Sequence, residues 1–111
     1  AFAAAEKHYE QALKRLTALN YPGRIAKVYK DLAEVNVKKE DYGKAMFYLS
    51  RMAEIRPEDP DVQYFLGMSC YAFGDSAGAR KAFKRALSLR PEHQKAARML
   101  RCLDAARKND L

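Results

Sequence analysis

Tryptophan is absent from the sequence, and cysteine and histidine occur twice each, as Cys70, Cys102, His8 and His93. Two cysteines cannot staple a disulfide framework, and four scattered ligands do not make a metal set. The two thiols therefore read as reduced, which fits a cytoplasmic setting. Glycine (5) and proline (4) are also sparse, which argues against a chain of short strands and tight turns. No run approaches the roughly 20 apolar residues that span a bilayer, and no charged start leads into a hydrophobic core as in a secretory signal. Phosphate-cradling glycine loops, nucleophile elbows and His-Glu-x-x-His pairs are missing as well, so no enzyme and no cofactor is expected.

What remains is abundant Ala, Leu, Lys, Arg and Glu in 111 residues that are 49% hydrophobic and 32% charged. That is the composition of amphipathic helices in one folded domain. The chain starts Ala1-Phe2 without an initiating Met, which reads as a processed chain or a piece of something longer. The net charge of +7 is unevenly spread: residues 1–79 carry 11 Lys/Arg against 11 Asp/Glu, residues 80–111 carry 10 against 3.

Pro22-Gly23, Pro57, Pro60, Gly74 and Pro91 punctuate the chain. Between them, apolar residues recur at three- and four-residue steps and predict six helices. The stripes are Tyr9, Ala12, Leu16 and Leu19; Val28, Leu32 and Val35; Ala45, Leu49 and Met52; Val62, Leu66, Cys70 and Phe73; Ala79, Phe83, Ala86 and Leu87; and Ala96, Leu100, Leu103 and Ala106. With so little chain left for turns, neighbouring helices must be antiparallel.

These helices repeat. Pro57 and Pro91, Ala45 and Ala79, Leu49 and Phe83, Leu32 and Leu66, and Ala33 and Gly67 are all separated by one and the same interval. Tyr9, Ala12 and Leu16 precede Tyr42, Ala45 and Leu49 by an interval just one position shorter. Ala33, Gly67, Ala45 and Ala79 are small enough to let paired helices approach, while Leu49 and Phe83 fill the space between them. The pattern Leu66-Gly67, Phe73-Gly74-Asp75, Ala79, Phe83, Ala86, Pro91 resembles the tetratricopeptide repeat, a helix-turn-helix unit that recurs at this same interval. The resemblance implies an all-α solenoid of about two and a half repeats in a single domain, 1–111: a partial repeat at 1–22, repeats at 26–59 and 60–93, and a capping helix at 92–108.

It also implies a function. In that family the first helices of the repeats line a concave groove that takes a peptide or helix from a partner protein. The groove positions carried over are Lys27, Lys30 and Glu34, then Tyr64, Met68 and Tyr71, with Lys95, Arg98 and Arg101 or Cys102 on the cap. Aromatic and thioether groups supply adaptable contact area, and the flanking cations suit an acidic partner. The alternative for the tyrosines is that they half-bury against neighbouring repeats. One subgroup of the family grips chaperone C-termini through a Lys followed four residues later by Asn; here Glu34 follows Lys30, and an acidic Glu34 would repel a terminal carboxylate.

Other residues weigh less. Glu58, Asp59 and Asp61 read as acids at a helix start, His8 and His93 as surface residues, and Cys70 as a small core hydrophobe. The basic residues Arg80, Lys81, Lys84, Arg85, Arg90, Lys95, Arg98, Arg101, Arg107 and Lys108 are the solvated face of a terminal repeat or a site for an acidic protein. Nucleic acid is the lesser reading, since no aromatic residue follows Phe83 to stack a base. A third reading is self-association through an uncapped first helix.

Overall fold

The computed structural model describes residues 2–109, with side chains described through residue 106. Ala1, and the side chains of Arg107 and Lys108 from the basic tail, lie outside the described residues. The helices are α1 (Phe2–Leu19), α2 (Pro22–Lys38), α3 (Tyr42–Ile55), α4 (Pro60–Phe73), α5 (Ser76–Leu89) and α6 (Gln94–Asn109), with no strand among the described residues. The all-α expectation holds. The helices fall into two compact units, residues 1–57 with α1 to α3 and residues 58–111 with α4 to α6.

Their boundaries follow from cap chemistry. Asp41 and Asp75, at matching places in successive repeats, begin α3 and α5 by accepting from the Lys44 and Gly78 amides at 3.2 and 2.8 Å. The turn before each needs a left-handed residue: Gly74 at φ 102 in one unit, Glu40 at φ 62 in the other. Glycine takes that conformation freely, whereas a side-chain-bearing residue is strained there by roughly 1 kcal/mol. Asp59 caps α4 by accepting from the Asp61 amide at 3.0 Å, with Pro60 in the first turn.

Pro22, one of the punctuating residues, is the first residue of α2. Proline at the first helical position has its φ already set and lacks an amide that would have no partner there. The reversal is made by Asn20, at φ 58, and Tyr21.

In the first unit α2 packs on both α1 and α3. Ala26, Leu32 and Ala33 of α2 and Ala45, Leu49 and Met52 of α3 are buried. The face of α1 is less well covered: Tyr9, Ala12 and Leu16 are half-buried and Leu19 is exposed. The buried residue of α1 is Glu6. Its carboxylate accepts from Lys39 Nζ at 2.7 Å, Asn36 Nδ2 at 3.1 Å and Lys44 Nζ at 3.4 Å, so one acid ties α1 to the end of α2 and to α3. The hydrogen bond from Lys39, helped by Asn36 and the nearby Lys44 charge, holds the Glu6 carboxyl below its ordinary range against the opposing pull of burial.

In the second unit α5 lies between α4 and α6. Val62, Gly67 and Cys70 of α4 and Ala79, Ala82, Phe83 and Ala86 of α5 are buried, and Ala96 and Leu103 of α6 join them. The close approach of α4 and α5 is made at Gly67: a Cβ built there would stand 2.6 to 2.9 Å from three atoms of the Phe83 ring.

Candidate functional site

One stripe of α4 carries Tyr64, Met68 and Tyr71, spaced four and three residues apart. Tyr71 is 51% exposed and Met68 36%, and Phe65 beside them is 48% exposed. Phe65 was not anticipated as part of such a face, although its three-residue spacing to Met68 was the signal for it.

Tyr64 behaves differently. It is half-buried, with its ring centroid 5.9 Å from Phe83 and 5.2 Å from His93. Tyr64 thus packs within its own repeat rather than against a neighbouring one, while Tyr71 stays open.

His93 corrects the surface assignment. It is 7% exposed. Its Nδ1 accepts from the Ala96 amide at 3.2 Å, capping α6, and its Nε2 faces Asp61 Oδ1 at 3.1 Å. Because Nδ1 accepts, the proton sits on Nε2, which donates to Asp61. His93 follows Asp59, the cap of α4, by the full repeat interval and fills the same place in its repeat. Asp61 is therefore more than an acid at a helix start: it also meets Arg90 at 3.8 Å. His8 is exposed, as read.

Lys95, Arg98, Arg101 and Cys102 are exposed on α6, and Lys27, Lys30 and Glu34 are exposed on α2 in the other unit. The basic excess of the second unit is partly answered within it, by Arg80 paired with Asp104 and Arg90 with Asp61. Among the described residues no three His, Cys, Asp or Glu side chains gather as a metal site, and no helix is long and apolar enough to cross a membrane.

The two thiols are free and unlike: Cys70 is buried and Cys102 exposed. Burial pushes the Cys70 thiol above its ordinary range, and the nearby Asp75 charge adds to this. Iodoacetamide should therefore label one site per native chain, Cys102, and two in denaturant; mass spectrometry of the tryptic peptides reads the result, and rapid labelling of Cys70 in the native chain would contradict the packing of α4.

The family model for the tetratricopeptide repeat matches residues 36–101. The chain belongs to the tetratricopeptide repeat family. Among solved structures, MamA (residue 41 to its end) from Desulfovibrio magneticus RS-1 superposes with a TM-score of 0.65 at 21% identity, over 95% of this chain and 67% of that one. At that identity the likeness speaks for the tetratricopeptide fold alone. No curated protein matches the sequence. Tetratricopeptide repeats generally mediate protein–protein interaction, which is the coarse function of this chain; as a family they are generally non-catalytic interaction modules.

Proposed function

We propose that this tetratricopeptide repeat chain holds a segment of another protein, a peptide or a helix, on the outward stripe of α4, with Tyr71, Met68 and Phe65 as contacts. The observation that carries this reading is the exposure of Phe65, Met68 and Tyr71 on one side of a helix whose other side buries Val62 and Cys70; Phe73, expected on that core stripe, is 61% exposed at the helix end. Tyrosine gives large, rigid contact area and methionine adaptable, polarizable contact area. Lys95, Arg98 and Arg101 on α6 favour an acidic segment, and Lys27, Lys30 and Glu34 on α2 offer a second, mixed-charge face.

Met68→Ala combined with Tyr71→Ala is expected to abolish capture of a specific partner from cell lysate while leaving the melting temperature unchanged. Tyr64→Ala is expected to lower the melting temperature, because its ring packs on Phe83 and His93. A partner retained by the double variant would refute the α4 face. Nucleic acid captured equally by both proteins, with affinity falling steeply in salt, would move the site to the basic residues of 80–111.

A further inference from the structure

The helices α3 to α6 each start at a side-chain acceptor, and one of those acceptors is removed by a proton. Asp41, Asp59 and Asp75 cap α3, α4 and α5 with carboxyl oxygens, and a carboxyl group still has an oxygen that accepts when a proton is bound. The cap of α6 is an imidazole nitrogen: His93 Nδ1 accepts from the Ala96 amide at 3.2 Å. A neutral imidazole has one acceptor nitrogen and a protonated one has none. Since His93 fills the register place of Asp59, the same position holds a cap that survives protonation in one repeat and one that does not in the next.

The ring has no better arrangement to turn to. It is 7% exposed, and its other nitrogen, Nε2, donates to Asp61 Oδ1 at 3.1 Å. Flipping the ring would put carbon atoms where both hydrogen bonds now are, so each nitrogen is committed. From α4 the ring faces the Asp61 carboxylate and the Tyr64 phenol ring, the latter with centroids 5.2 Å apart. At the end of α5 stands Arg90, 3.8 Å from the same Asp61 oxygen, while Phe83 of α5, against Tyr64, is apolar. On its own segment Glu92 and Lys95 are exposed. A proton on this ring sets a loss against a gain. The loss is the cap, together with a positive charge placed at a helix N-terminus, the unfavourable end of the dipole. The gain is an ion pair with Asp61, whose side chain is 55% exposed and already shared with Arg90, where a further ion pair counts for little. The loss is therefore the larger.

We infer that His93 is a proton-operated latch: a proton taken up at Nδ1 releases the first turn of α6, residues 94–97, while Nε2 keeps its hold on Asp61 and α4 and α5 stay paired. Lys95 lies in the released turn, so the placement of this cation follows pH. The cap's contribution is present while the ring is neutral and is lost on acidification through the range from about pH 8 to about pH 5, in which an imidazole takes its proton.

The test is amide exchange with water on the whole chain, read by NMR at both ends of that range and divided by the rates of an unstructured chain. Protection of the Ala96 amide is expected to fall roughly fivefold or more at the lower pH, the change that accompanies loss of a helix cap, while amides in the middle of α5 keep theirs. His93→Asn supplies a cap that no proton removes, and its Ala96 protection should be equal at both ends. In thermal unfolding the midpoint of the native chain should fall by roughly 4 °C more than that of His93→Asn over the same range. Glu6 and the exposed His8 are common to both proteins and cancel in that difference. The exchange measurement on the native chain stands by itself if His93→Asn folds poorly. A His93 ring that takes its proton, seen in its own carbon-bound proton shifts, with Ala96 still protected overturns the inference, as does a ring still neutral at about pH 5. The same loss of protection in His93→Asn overturns it too. So does a midpoint that rises on acidification in the native chain alone, which would show the Asp61 ion pair outweighing the cap.

Discussion

Gly67→Ala is expected to lower the melting temperature by roughly 10 °C, and adding Phe83→Leu to recover a large part of the loss. The added Cβ would stand under 3 Å from three atoms of the Phe83 ring. That ring is fully buried and has little room to retreat. Overpacking of this kind costs about 1 to 3 kcal/mol, and in a unit of this size each kcal/mol moves the midpoint by roughly 4 to 8 °C. The compensating pair is already present in the molecule, because the equivalent positions of the other unit hold Ala33 and Leu49, both buried. Thermal unfolding of the two single variants and the double variant closes a mutant cycle. A double variant that loses the sum of the two single losses would mean that residues 67 and 83 do not constrain each other.

Glu6→Ala is expected to cost about 2 kcal/mol, the scale for a hydrogen-bonded buried charge, and to release α1 while α2 and α3 stay paired. It strips the acceptor from Lys39, from Lys44 and from the buried Asn36 amide at once. Limited trypsin digestion should then cut at Lys7, Lys14 and Arg15 well before sites in α3. The pH dependence follows from the depressed Glu6 pKa. Above its ordinary value of 4.5 the carboxylate is charged in both folded and unfolded chains, and its full contribution is present. As pH falls below the ordinary value and through the lower folded one the contribution is lost, so the native chain and the variant should converge in stability as the solution is acidified. A stability difference that persists undiminished in acid would show that Glu6 acts through packing rather than charge.

The repeat register was legible because it is written in side-chain size: Ala33 and Gly67, Ala45 and Ala79, and Leu49 and Phe83 recur at one spacing, and all six are buried. Cys70 was legible for the same reason. Pro22-Gly23 marked a boundary without saying on which side of it the helix lies, because a proline punctuates in two ways, after a helix or in its first turn. His93 and Glu6 were hidden by distance. Their partners are remote in sequence, Asp61 for the one and Asn36, Lys39 and Lys44 for the other, and a polar residue near an apolar stripe looks solvated until its partner is known. For His93 the clue was available in its register with the cap Asp59. Tyr64 and Tyr71 were indistinguishable by pattern, since what separates them is the presence of Phe83 and His93 beside one ring and not the other.

The placement of Arg101 bears on how copies of the chain behave when crowded. Modules that repeat along one direction risk growing end on end, as open fibres form whenever one end of a molecule complements the other. In this chain α6 sets Arg101 at the register place of Gly67 and Asp104 at that of Cys70, so a helix laid on α6 as α5 lies on α4 would have to cover a guanidinium where α5 meets a glycine, and growth past α6 is costly for that reason.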